Sequence, residues 1–450
     1  GVGCAWFVTY YNFSGRKYIE WLLILPMTIP TYIAAYSYFD ILEIFNPFFN
    51  WCRDNIGLEE TIMIENILIY FIVMMLFSFV LYPYVYLSSK ASLTIQGNKA
   101  IEAANTLGIP TNQLLWKVII PIIRPGIIAG LSLVVMETLN DYAAVEYFGV
   151  STLTIGIFRS WFGMYDMASA LKLSSYLILF VFSILITEKI IRGKERYNNI
   201  NGSQNTFSKI PIKNKKIFWV SILCFTPFIF GFLIPFVRLL TWLLYSSFNF
   251  EDMNIVQISF NTIFISLIAS LSIVCIAFTI NFVKNYFNNR IVRKISELAI
   301  LGYSIPGAII AIGILKLNSH INTSFNILFI GSVWGLVFAY GVRFLAVAWQ
   351  PIQSSMKKQC ASINHASRVL SVSSTTSLFK INLPILRKPL LIAALIVFID
   401  VAKELPLTLI LRPFNFDTLA TYTYDLINQA QFFQSSLPSL LIIAISLKLP

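Results

Sequence analysis

The chain has 450 residues, of which 57% are hydrophobic and only 12% charged; the mean hydropathy is +0.73 and the formal net charge +12. This composition excludes an ordinary soluble protein and places the chain among membrane proteins. The positive charge is concentrated in alternate loops, so it follows from membrane topology and requires no nucleic-acid partner.

Apolar runs near the ~20 residues that cross a bilayer core as a helix predict spans at 18–39, 66–87, 127–145, 174–191, 217–246, 262–282, 296–315, 327–350 and 390–411. Two further fragments, 1–9 and 437–450, read as spans cut at the chain ends, and the chain is expected to be truncated at both termini. Segments 10–17, 88–124, 192–216, 283–294 and 351–389 are basic, whereas 40–65 and 251–252 are mostly acidic. The two sets alternate, which places the basic loops in the cytoplasm.

The first span carries Pro26 and Pro30, matched in the second half by Pro306. Prolines in a spanning helix kink it and free carbonyls, so these three are candidates for shaping a gate. Residues 40–65 read as an outer loop rich in acids and aromatics, and the next span ends at Tyr82-Pro83-Tyr84.

A polar, helix-prone elbow follows. Ala100, Ile101, Ala104 and Leu107 recur at helical spacing, Gly108 and Pro110 stop the helix and reverse the chain, and a second helix runs into Pro121 and Pro125. The pattern returns around His365: Glu102 precedes Pro121 by 19 residues, and His365 precedes Pro384 by 19. In that register Ala103 matches Ala366, Leu107 matches Leu370, Lys117 matches Lys380 and Arg124 matches Arg387. The chain is therefore read as a duplicated unit, with a first lobe at 1–191, a basic cytoplasmic linker at 192–216 and a second lobe at 217–450.

After the elbow, Gly126, Ala129 and Gly130 permit close helix approach. Ionisable and polar groups then appear in or beside apolar segments: Glu137, Asn140 and Asp141 in the first copy, Asp400, Lys403 and Glu404 in the second. Such groups are costly in a membrane and usually face a partner or water, which makes them pathway candidates and equally candidates for structural pairs. The five cysteines show no metal-finger spacing, a disulfide is not expected, and the two histidines fall on opposite sides of the membrane. No metal site is assigned. There is no phosphate-binding G-x-x-x-x-G-K-[ST] loop and no nucleophile–base constellation, so no catalytic residue is assigned and an engine on another chain is expected.

Glu102-Ala103-Ala104, Gly108 and Ile120-Pro121…Pro125 resemble the EAA signature of ABC importer permeases. The second copy resembles it more loosely. His365 stands for the Glu, Ser367 for the second Ala and Ser371 for the Gly; Leu383-Pro384 is kept and the final Pro moves to Pro389. Glu137-Thr-Leu-Asn-Asp141, Glu146-Tyr-Phe-Gly-Val150, Thr154-Ile-Gly-Ile-Phe-Arg159-Ser-Trp161 and Lys403-Glu-Leu-Pro406…Leu411-Arg-Pro-Phe-Asn-Phe-Asp look like the fused, two-domain ferric-iron importer permeases.

The resemblance implies an all-α polytopic protein of the bacterial inner membrane, with two tandem type I (MetI-like) lobes of about six spans each. It implies two ABC ATPase subunits inside and a periplasmic ferric-binding protein outside, with ATP and magnesium on the partner subunits, ferric iron as substrate and no cofactor in this chain. The short helices would be coupling helices, presenting Ala100, Ile101, Glu102, Ala103, Ala104, Leu107 and Gly108, and Ile363, His365, Ala366, Leu370 and Ser371, to the ATPases. Apolar knobs (Ile101, Ala104, Leu107; Ile363, Ala366, Leu370) are expected to carry that contact. Transport would proceed by alternating access, a shift from 1:99 to 99:1 taking ~5.5 kcal/mol of differential binding. The alternatives are an ABC permease for sulfate, phosphate, thiamine or polyamine, and an ion-coupled secondary transporter using Glu137, Asp141 and Glu404.

Overall fold

The structure, a computed structural model, describes residues 1–450 except 14, 95–97, 193–209, 212–221, 246–253, 288–289, 326–330, 360 and 448–450. Of the expected basic linker, it describes Arg192 and Ile210–Pro211, the latter pairing in parallel with Tyr11–Asn12.

Among the described residues, six helices are long and apolar enough to cross a membrane: Leu58–Ser92, Leu115–Asn140, Met167–Ile191, Ile222–Tyr245, Ile255–Phe287 and Val333–Met356. The protein is an all-α, multi-pass membrane protein. The expected span at 18–39 is not one rod. Arg16–Thr28 and Thr31–Leu42 meet at an 88° bend, because Pro30 cannot donate to a continuing ladder and Ile29 before it is forced extended. Residues 40–65, expected as a loop, contain the helix Asn46–Asn55, and the long Leu58–Ser92 helix starts beside it.

The helical order repeats. Arg16–Leu22, Leu25–Thr28, Pro30 and Thr31–Leu42 are followed in the second copy by Arg290–Ile300, Leu301–Ser304, Pro306 and Gly307–Phe325. Asn98–Thr106, Leu115–Ile119, Ile120–Asn140 and Ala143–Tyr147 correspond to Ala361–Val369, Ser377–Asn382, Leu383–Ala402 and Pro406–Leu411. Two of the π-turns, Leu115–Ile119 and Ser377–Asn382, fall at matched places. Such insertions rarely recur by chance and concentrate at functional positions.

Packing divides the chain differently from the repeat. One compact unit is Gly1–Gly156 with Ser175–Thr241; the other is Ile157–Ser174 with Trp242–Pro450. In the first unit the Ile222–Tyr245 segment is held to the first copy by specific contacts. Phe79 stacks on Phe230 at 5.1 Å, the Tyr38 hydroxyl donates to the Phe230 carbonyl, and Arg238 pairs with Asp40. Gly231 lies against the Phe79 carbonyl and Pro26 with no room for a Cβ. Leu58–Ser92 packs on Ile120–Asn140 through glycines: a Cβ on Gly130 would lie 2.7 Å from Val85 Cα, and one on Gly126 3.0 Å from the Ser88 carbonyl. The close approach expected of these small residues is present. In the second unit Ile255–Phe287, Val333–Gln359 and Leu383–Ala402 enclose a core that includes Ala277, Tyr340, Ala393 and Val397.

Candidate functional site

The first elbow is the helix Asn98–Thr106, the second Ala361–Val369. Both close with the same hydrogen bonds. Leu107 N–H donates to Ala103 O (3.1 Å) and Ile109 N–H to Ala104 O (3.0 Å); 263 residues later, Leu370 N–H donates to Ala366 O (3.0 Å) and Val372 N–H to Ser367 O (2.9 Å). This helix stop requires a left-handed residue. Gly108 supplies it at φ +68° and Ser371 at φ +55°. A serine held there carries roughly 1–2 kcal/mol of steric penalty that glycine avoids. Ser371→Gly is therefore expected to raise the melting temperature in detergent, by the equivalent of up to ~1 kcal/mol once the greater freedom of unfolded glycine is subtracted; an unchanged or lower value would contradict it.

The expected knobs separate. Ile101 (5% exposed) and Ala104 (2%) turn inward, packed in the core of their own unit with Leu114 and Ile119. Only Leu107 of the three points out, 79% exposed, because it lies beyond the last helical turn and leaves the stripe. Glu102, Ala103 and Gly108 are exposed. In the second elbow Ile363, Ala366, Leu370 and Ser371 are exposed. Ala100 and His365 lie on these helices, with side chains outside the described residues. Each elbow also shows an aromatic side chain at a matched position, Trp116 and Phe379.

The acids form a second matched pair. Asp141 ends Ile120–Asn140, and its Oδ1 accepts from Ala144 N–H (2.9 Å), capping Ala143–Tyr147; the Thr31 hydroxyl donates to its other oxygen. Glu404 stands 263 residues later, and its Oε1 accepts from Leu407 N–H (3.1 Å) at the start of Pro406–Leu411. Here the long partner is Arg343, whose Nη1 lies 3.2 Å from Glu404 Oε1, both side chains almost wholly buried. Gly307, the residue after the Pro306 break, leaves the space that Arg343 and Glu404 fill. The Tyr340 hydroxyl and Thr408 Oγ1 are 2.7 Å apart, and Thr408 Oγ1 donates to Glu404 O (2.8 Å). The structure thus places Asp141 and Glu404 as buried helix caps. Lys403 pairs with Asp400 at 2.9 Å, and Glu137 and Asn140 lie half-buried on the last turn before Asp141. Pro26 is buried in the turn Leu25–Thr28, while Pro30 and Pro306 mark the two breaks.

Arg343, Gly307 and Thr31 escape a sequence reading. Arg343 sits inside the expected 327–350 span, and its one signal is being the sole charged residue there. At the other end of the second copy, Arg412 bridges Asp417 and Asp425 (3.0 Å to the latter), and Phe414 stands fully exposed. Burial pushes the Asp425 carboxyl above the usual carboxylate range, against the pull of Arg412. Among the described residues, no group of three or more His, Cys, Asp or Glu is arranged to hold a metal ion.

Two matched elbows, two helix breaks and paired buried caps thus recur along the chain. Residues 1–192 match the family described as binding-protein-dependent transport system inner membrane component. That match covers under half of the chain. The chain is 22% identical over 456 residues to the Fe(3+)-transport system permease protein FbpB 2 of Haemophilus influenzae, covering 99% of this chain and 84% of that protein. It is 28% identical over 147 residues to the sulfate transport system permease CysT of Salmonella typhimurium, covering 33% of this chain and 50% of the relative. It is 27% identical over 125 residues to the spermidine/putrescine transport system permease PotB of Haemophilus influenzae, covering 26% and 43%. The chain therefore spans most of the ferric relative and about half, or less, of these two sulfate and polyamine relatives.

Proposed function

We propose that this chain is the membrane component of an ABC importer that moves ferric iron, delivered by a periplasmic binding protein, into the cytoplasm. The observation that supports iron is coverage: similarity to the ferric permease runs through 99% of the chain and so through both copies, whereas similarity to the sulfate and polyamine permeases covers 26% to 42% of it. Ferric ion is a hard cation that prefers oxygen ligands, and a transit path has to bind it weakly enough to release it. In this reading the two elbows dock on the ATPases, with Leu107 and Leu370 as the outward knobs, while Ile101 and Ala104 anchor the first elbow to its own unit. Ferric iron remains the substrate, and ATP with magnesium acts on the partner subunits. A secondary transporter driven by proton or sodium binding at Asp141 and Glu404 is disfavoured, since both carboxylates are committed to capping backbone N–H groups.

The test is uptake into liposomes holding the permease with its ATPase and the binding protein encoded beside it. ATP-dependent accumulation of radioactive ferric iron is expected, with no accumulation of sulfate, phosphate, thiamine or spermidine. Uptake of one of those instead would overturn iron, and uptake driven by an ion gradient without ATP would overturn the importer.

A further inference from the structure

The two elbows share a backbone, but the joint behind each is filled by opposite chemistry. In the first, Ile101 and Ala104 meet Leu114 and Ile119, all buried in one apolar cluster. The positions 263 residues later are Asn364, Ser367, Ser377 and Asn382, equally buried. Four apolar side chains have become four polar ones at once. The surroundings have not followed: Leu93 and Ile123 beside the first joint correspond to Met356 and Leu386 beside the second, and all four are buried and apolar.

The polar set is wired together. Asn382 Nδ2 donates to Asn364 Oδ1 (2.9 Å) and to Ser377 O (2.8 Å), with Ser377 Oγ at 3.3 Å. Ser367 Oγ donates to Asn364 O (3.0 Å) and lies 3.4 Å from Ser377 Oγ. The network therefore ties the short helix Ala361–Val369 to the π-turn Ser377–Asn382, on which the long helix Leu383–Ala402 is mounted. It is an expensive tie, since Asn382 Oδ1 is buried without a partner among the described residues. The first copy shows that an apolar filling fits the same backbone, so packing alone does not call for the amides. What hydrogen bonds add is direction: they weaken steeply with angle, whereas apolar contacts tolerate sliding and rotation.

We propose that Asn364 and Asn382 are positioning residues that lock the angle of the second elbow against its membrane helix, making it the rigid lever of the permease while the apolar first elbow is compliant. Motion of the ATPase bound at the second elbow is then passed to Leu383–Ala402 without slippage. This rests on the importer reading given above.

The test transplants the first joint into the second: Asn364→Ile, Ser367→Ala, Ser377→Leu and Asn382→Ile together in the full chain. Two readouts are taken. The first, on the complex with its ATPase and binding protein in liposomes, is substrate imported per ATP hydrolysed; the second, on the permease alone, is the spread of distances between spin labels at exposed Val369 on the elbow and exposed Leu391 on the membrane helix. With wild-type abundance, a fall in uptake per ATP of about fivefold or more and a broadened distance distribution are expected. Coupling and distribution both unchanged would overturn the proposal and leave the network as packing. If the fourfold variant does not accumulate, the near-isosteric Asn364→Leu, which removes the acceptor of the Asn382 amide, replaces it; a broadened distribution is again expected and an unchanged one overturns the lock. Wild-type complex that shows no ATP-driven uptake would count against the importer reading, while the label distances, which need no ATPase, still decide the joint.

Discussion

Glu404→Ala is expected to be the most destabilising single change in the second unit. It removes the cap from Pro406–Leu411 and takes from the buried Arg343 its carboxylate at 3.2 Å. Breaking a buried pair from one side costs about 3–5 kcal/mol, because the surviving charge keeps its desolvation penalty. The matching change in the first copy, Asp141→Ala, loses a cap and the Thr31 hydroxyl bond, and ~1 kcal/mol is expected. Melting in detergent should rank them in that order. The double variant Arg343→Met/Glu404→Leu should recover most of the loss, since apolar residues of similar volume often replace a buried pair at little cost. Equal effects of Glu404→Ala and Asp141→Ala would refute the assignment of Arg343 as the carboxylate's structural partner.

Gly108→Pro is expected to abolish most transport while leaving insertion intact. Gly108 holds φ +68° with nothing within 4 Å of its missing Cβ, whereas proline is locked near −65°. The bond from Ile109 N–H to Ala104 O then cannot form, and the second helix leaves the elbow in another direction. Residues Asn98–Thr106 precede the change, and Leu58–Ser92 and Ile120–Asn140 keep their packing, so the chain still folds and reaches the membrane. Uptake should fall tenfold or more, a loss of at least ~1.4 kcal/mol in coupling. Gly108→Ala, strained but not forbidden, should lie between. Normal uptake by Gly108→Pro at normal abundance would remove the elbow from the mechanism.

The elbows were legible because their determinants are local: Gly108 before Pro110, a periodic helix upstream, and the same register around Ser371 without the glycine. The breaks at Pro30 and Pro306 were legible for the same reason, although an 88° turn exceeds what a proline kink alone predicts. Ile101 and Ala104 were harder. A stripe at three- and four-residue spacing says that one face is apolar, not whether it faces a partner or its own unit, and Leu114 and Ile119 decide that from a different helix. Asp141 and Glu404 read as intramembrane acids because periodicity runs through them; the helix ends that turn them into caps depend on tertiary packing. Pro406 at the start of its helix was the one local hint. The drawing of Ser175–Thr241 into the first unit had no sequence signal, since Phe230 against Phe79 and Arg238 against Asp40 are pairings across about 150 to 200 residues, beyond what any local pattern encodes.

The most direct measurement places a photoactivatable amino acid at Leu107 and, separately, at Leu370 in the working complex and asks what each captures. Both should cross-link to the ATPase subunits, and the yield should change when ATP is bound, while the same label at buried Ile101 should remain within the permease. Capture of lipid or solvent alone at both outward leucines, with transport proceeding, would contradict the assignment of these elbows as the contacts that drive the membrane helices.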